Sequence, residues 1–281
     1  MKSLAAILLL LLLVALAFTG WKTWEQAIAY DQETRQLVEW LDTEGRLEMA
    51  KDELLETITF GLYGGHTEEL EQIRKQRELQ GAYQESAWIL TAIFFALIAP
   101  TLTCAYFIRK SWLDTAYAML GVGLICLVLG LVIPILSISV SKELPLLGDT
   151  ILQFQSKGIL STITGLMDSG NLWLAGLLFI FSVLIPFTKT LLATVTLFAR
   201  THHFSLKGLH LSHSIGKWSM ADVFVVALLV VFFSSEGDGL TDAEIQVGLC
   251  FFAGYVVLSL LGTQIVSHRL GADNRPDSTV V

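Results

Sequence analysis

Three cysteines in 281 residues are too few and too scattered for a disulfide framework or a zinc ribbon. Cys104, Cys126 and Cys250 lie in separate apolar segments and none sits in a C-x-x-C pair, so a redox dithiol is also excluded. They read as small buried hydrophobes. Charge is scarce too, at 16% of residues against about 25% in soluble domains. No basic block is long enough to grip nucleic acid, which removes that class of partner. G-x-x-x-x-G-K-[ST], G-x-S-x-G and H-E-x-x-H do not occur, so neither an ATPase nor a hydrolase is written here. His202, His203, His210 and His213 match no ligand spacing and read as a solvated loop. The expectation is a protein that is not an enzyme and holds no cofactor or metal.

What the chain has instead is apolar length. Hydrophobic residues make up 53% of it. Crossing the hydrocarbon takes about 20 of them in a row. Six stretches are candidates, the first and fifth of them shorter than that: Leu4–Phe18, Ala87–Ile108, Trp112–Leu136, Leu172–Phe198, Trp218–Phe233 and Val247–Val266. The expected fold class is all-α, a polytopic helical membrane protein of about six transmembrane helices with an exported helical hairpin. Pro186 should tilt or kink the fourth and longest span. Lys2, the first apolar run and Ala15-Leu16-Ala17 resemble a cleavable signal, but Trp21 comes next as an interfacial anchor. The reading adopted is an uncleaved anchor.

The net charge of −8 is local. Residues 22–86 hold 7 Lys/Arg and 15 Asp/Glu, which accounts for all of it. Arg109 and Lys110, then Arg200, Lys207 and Lys217, then Arg269 and Arg275 come after alternate spans, and the positive-inside rule makes those segments cytoplasmic. Loop 234–246 carries Glu236, Asp238, Asp242 and Glu244 without a Lys or Arg, and reads as external. The expected organisation is an anchor or first transmembrane helix at 1–21 and a periplasmic helical hairpin at 22–86. A second transmembrane helix with a short cytoplasmic loop occupies 87–111. A four-helix membrane core takes up 112–268 and a cytoplasmic tail 269–281.

In the exported segment, Leu37, Val38, Leu41, Leu47, Leu54, Leu55 and Ile58 recur at helical spacings. Thr67 offers an N-cap for a second helix from Glu68 to about Gln80. The acids there read as a solvated face, or as a docking surface for an extracytoplasmic partner. The loop 137–171 is apolar enough to lie on the membrane face, as packing over the spans or as a lid.

Polar residues inside the spans are the candidate site. Ser182, Pro186, Lys189, Ala193 and Thr196 are spaced +4, +3, +4, +3 and fall on one helical face. Lipid penalises such a stripe, so it should face the bundle interior or a wet cavity. Lys189 lies 11 residues before Arg200, about 16 Å above the cytoplasmic boundary at ~1.5 Å per residue. In the next span, Ser219-x-x-Asp222 resembles a capping box and Trp218 an interfacial anchor. Asp222 is five residues past Lys217, about 7–8 Å up, so a Lys189–Asp222 pair is stretched and needs snorkelling or a bridge. Local structure explains Asp222; nothing local explains Lys189.

The run Gly216-Lys217-Trp218-Ser219-Met220-Ala221-Asp222-Val223-Phe224 resembles the hallmark segment of the paraquat-inducible protein A family. Ser182-Val183-Leu184-Ile185-Pro186-Phe187-Thr188-Lys189 is similar to that family's signature in the preceding span. The resemblance implies a bacterial inner-membrane protein that works with a periplasmic MCE-domain partner, moves phospholipid or another membrane lipid, and supports envelope integrity. It also implies that Lys189 and Asp222 are core polar residues, with Ser182, Pro186, Ser219 and Trp218 nearby. The chain departs from the family in lacking cysteine-rich zinc ribbons. After the sixth span, Ser267-His268-Arg269-Leu270 keeps only the arginine of a Phe-Asp-Pro-Arg-like segment. Whether the chain acts alone, as a homo-oligomer or with a variant partner stays open. Two other readings compete: a membrane sensor using the exported hairpin, and a scaffold that seats a partner without transporting.

Overall fold

A computed structural model describes residues 2–40, 66–110, 112–144, 148–198 and 241–273. The chain is a polytopic helical membrane protein. Among the described residues, five helices are long and apolar enough to cross a bilayer. The sixth expected span, Trp218–Phe233, lies outside them.

Helices α1 (Lys2–Trp40) and α2 (His66–Arg109) pack against each other along their length. At ~1.5 Å per residue, α2 alone is roughly 66 Å long, twice the hydrocarbon thickness. Exposed aromatics divide it. Trp21, Trp24 and Trp88 lie near the middle of the pair, Phe107 lies at one end, and Trp112 follows just beyond it. Trp88 and Phe107 are separated by about 28 Å of helix rise, which matches one hydrocarbon layer between two aromatic belts. Composition predicts a helix at 68–80 and a separate span from 87. The two are one helix, because no proline intervenes before Pro100.

Helix α3 (Trp112–Val132) is the centre of the bundle, touching α1, α2 and the later helices. Pro134 ends it by removing a donor. The chain then turns extended, and Leu136, Ile138 and Val140 alternate with Ser137, Ser139 and Ser141. This period of two makes strand β1 (Leu136–Leu144), which pairs antiparallel with β2 (Gly148–Lys157) and with β3 (Thr241–Ile245). The sheet order is β2-β1-β3, with Leu136 opposite both Lys157 and Ile245. Strands β1 and β2 occupy the first part of the segment 137–171 that reads as a loop in the sequence.

Helix α4 (Ile159–Asp168) turns Ile159 and Ile163 inward and leaves Leu160 and Met167 exposed. Gly170, at φ 79°, closes it: Asn171 N–H reaches Leu166 O at 2.9 Å and Gly170 N–H reaches Met167 O at 3.0 Å. Helix α5 (Leu172–Phe179), a π-turn (Ile180–Leu184) and helix α6 (Ile185–Phe198) make the fourth span. Helix α7 (Val247–Asp273) returns along α3.

Lipid tails are as apolar as leucine, so close packing must hold the α3–α7 seam. A Cβ on Gly130 would sit 2.6 Å from Phe252 N. At the seam's end, Gly248 N–H bonds Pro134 O at 3.1 Å, and any side chain at 248 would run into the Ile133 and Pro134 carbonyls. Gln246 N–H bonds Ile135 O at 3.1 Å, and its amide donates to Ser137 Oγ at 2.8 Å. The sheet therefore sets where α7 starts. Phe94, Phe95 and Phe251 cluster at centroid distances of 5.0 to 5.8 Å and tie α2 to α7.

Candidate functional site

The site grows from Pro186. Proline has no N–H, and its ring meets the carbonyl four residues back, that of Ser182. The helix answers with the π-turn, in which Ile185 N–H reaches back five residues to Ile180 O. Such turns are rare and concentrate at functional sites. They also shift the helix's phase, which selects the side chains that α6 turns inward.

That side is polar and dry. Ser182 is 4% exposed, Lys189 7% and Thr190 4%, and Pro186 is buried between them. Insertion scales charge about 2.5–3.5 kcal/mol for a lysine at the centre of a membrane helix. From α7, the Tyr255 hydroxyl donates to Pro186 O at 2.9 Å. Thr190 Oγ1 donates to the same carbonyl at 3.0 Å and lies 3.3 Å from the Tyr255 hydroxyl. One carbonyl beside a helix break thus accepts two hydroxyls, and one of them crosses to another helix. Thr194 Oγ1 continues the pattern, donating to Thr190 O at 2.8 Å.

Tyr255 is held in place by its neighbours and is only 1% exposed. Phe252 packs one turn before it at 6.3 Å, and Gly123 of α3 lies against its ring. Ser259, one turn beyond, is as deeply buried, and its Oγ has no hydrogen-bond partner among the described residues.

The structure brings Ser182, Pro186 and Lys189 together on the inward side of the fourth span. Thr196 lies in α6, with its side chain outside the described residues. Trp218, Ser219 and Asp222 lie outside them altogether, and the Lys189–Asp222 pairing with them. Sequence reasoning alone misses Tyr255 and Thr190. Their signal is a phenol and a threonine inside apolar spans, where each hydroxyl must find a partner. Among the described residues no cluster of three His, Cys, Asp or Glu is placed to hold a metal.

The family model described as "Paraquat-inducible protein A" matches residues 113–273, more than half of the chain. The chain is 32% identical over 123 residues to lipophilic envelope-spanning tunnel protein A of Escherichia coli K12, covering 41% of this chain and 28% of that protein. It is 28% identical over 126 residues to intermembrane transport protein PqiA of the same organism, covering 43% of this chain and 30% of that one. A probable intermembrane transport protein of Haemophilus influenzae is 27% identical over 118 residues, 40% of this chain and 28% of that protein. The chain thus spans less than a third of the length of these relatives. No solved structure matches.

Proposed function

The chain belongs to the paraquat-inducible protein A family, and from that premise we propose that it is an inner-membrane component of an intermembrane lipid-transport system. Its cargo is phospholipid or a related membrane lipid, its partner is a periplasmic MCE-domain protein, and its role serves envelope integrity. It acts without catalysing bond chemistry. The names of its relatives support transport between membranes. In the proposed orientation, residues 22–86 are periplasmic and the C-terminus is cytoplasmic.

The observation that carries the reading is the buried node at the π-turn. A lysine and three hydroxyls inside lipid are costly to keep unless they serve a change of state. The helix break is the place where α5 and α6 move relative to each other with least loss of backbone bonds. The Tyr255–Pro186 bond ties that break to α7. In the proposed cycle, Lys189 and Asp222 form a polar switch whose pairing is coupled to opening of a lipid path. Lys189→Ala and Asp222→Ala, each inserted at normal levels, are expected to lose complementation of an envelope defect. Full complementation by both refutes the switch.

A further inference from the structure

Helix α4 is tied at both ends to membrane spans. Just past the end of α3, Ile135 N–H bonds Lys157 O at 3.0 Å, and a Cβ on Gly158 would stand 3.4 Å from Ile133 O. At its other end, α4 turns through Gly170 into Leu172, the first residue of the fourth span. Ten residues, about 15 Å of helix, thus run between the ends of two spans on one side of the membrane.

The side chains of α4 sort into three stripes, each at the +4, +3 spacing of one helical face. Ile159, Ile163 and Leu166 pack into the core. Ser161, Gly165 and Asp168 form an exposed polar stripe. Leu160, Thr164 and Met167 form an exposed apolar one, with Leu160 39% and Met167 52% exposed. The hydroxyls ask little of water. Ser161 and Thr162 donate to Gly158 O at 3.1 and 2.7 Å, and Thr164 donates to Ser161 O at 3.0 Å. No charged residue occurs between Lys157 and Asp168.

We propose that α4 lies flat in the interface of the leaflet where α3 ends and the fourth span begins, with its Leu160–Thr164–Met167 stripe seated among lipid glycerol groups and upper acyl carbons. Three observations commit the stripe to lipid. It adjoins the start of a span whose own outward residues face lipid: Leu172, Trp173 and Leu174 are 65%, 81% and 51% exposed. Trp173, the second residue of α5, sets an indole at the depth where such rings collect. The three stripes match the three surroundings of a helix at that depth, which are protein, lipid and water. α4 carries no Lys or Arg, so its seat needs no anionic lipid, unlike that of a basic interfacial helix. The seat fixes the height of β2, which ends at Lys157, and of the span that carries Pro186. The inference goes beyond the transport reading and stands without it.

The test uses the full chain carrying Cys104→Ala, Cys126→Ala and Cys250→Ala, in bilayers of phosphatidylcholine alone. A nitroxide is attached in turn at Leu160, Ser161, Thr164, Gly165, Met167 and Asp168. Gly165 accepts it, since a Cβ there would meet nothing within 4 Å. Its collisions with oxygen, which prefers lipid, are compared with those of a nickel chelate, which prefers water. Oxygen should prevail at Leu160, Thr164 and Met167, and the chelate at Ser161, Gly165 and Asp168. Leu160 and Met167 should give one depth, about 5–10 Å into the headgroup boundary. Added phosphatidylglycerol should change neither result. The chain with its cysteines intact gives a second reading: phosphatidylcholine that is photoactivatable near the top of its acyl chain should label Leu160 and Met167 and spare Ser161 and Asp168. Absence of that labelling overturns the proposal. So does the chelate prevailing at Leu160 and Met167, oxygen prevailing at all six positions, or a need for anionic lipid. Low collision with both reagents at Leu160 and Met167, as beneath a partner protein or a second copy, overturns it too.

Discussion

Removing the hydroxyl of Tyr255 tests whether the node couples α6 to α7. Tyr255→Phe keeps the ring and its packing on Phe252 but deletes the 2.9 Å bond to Pro186 O and the 3.3 Å contact with Thr190. Pro186 O is not orphaned, since Thr190 Oγ1 still donates to it at 3.0 Å. The cost is therefore that of one hydrogen bond, about 0.5–1.5 kcal/mol. Hydroxyl bonds between membrane helices average about 0.6 kcal/mol, so the lower end is expected. Tyr255→Ala empties a fully buried site and should cost about 3–5 kcal/mol, which gives the scale. The informative measurement is a double-mutant cycle of Tyr255→Phe with Thr190→Val, read by equilibrium unfolding in lipid bicelles. Either hydroxyl alone still serves the shared carbonyl and only the double variant removes both, so the double variant should cost more than the sum of the singles, by about 0.5 kcal/mol or more. Strict additivity means that they do not act as a unit, and the node reading fails.

The packing sets two further outcomes. Gly130→Ala places a Cβ 2.6 Å from Phe252 N and should destabilise by about 1–3 kcal/mol, while Gly121→Ala, in open space, should stabilise by roughly 0.5–1 kcal/mol; equal unfolding midpoints would contradict the seam. Gln246→Leu strands the Ser137 hydroxyl between α3 and α7 and should cost about 1–3 kcal/mol, whereas Gln84→Ala breaks only the exposed 3.2 Å bond to Glu244 and should stay within about 0.5 kcal/mol in the same assay.

The spans are legible in the sequence because the signal for each is local: an apolar run of sufficient length needs no partner to declare itself. Ser182, Pro186 and Lys189 are legible for a related reason, since a charge and a proline inside such a run violate its rule. The strand β1 is equally local, six residues of strict alternation from Leu136 to Ser141, yet a stretch between two spans reads first as a loop. The unbroken length of α2 is obscured by the change from charged to apolar composition near residue 87, which alters the solvent around a helix without ending it.

Sequence alone determined that this chain crosses a membrane several times and carries a polar stripe in its fourth span. It also supplied the motifs that resemble the family to which the chain belongs. Hydropathy, helical spacing and motif order are properties of neighbouring residues, and they survive without coordinates. Only the tertiary structure decided what the stripe meets. Tyr255 lies 69 residues after Pro186, and nothing in its own segment sets it against that carbonyl. It arrives there because β3 pairs with β1 across a hundred residues and because Gly130 and Gly248 let α7 close on α3.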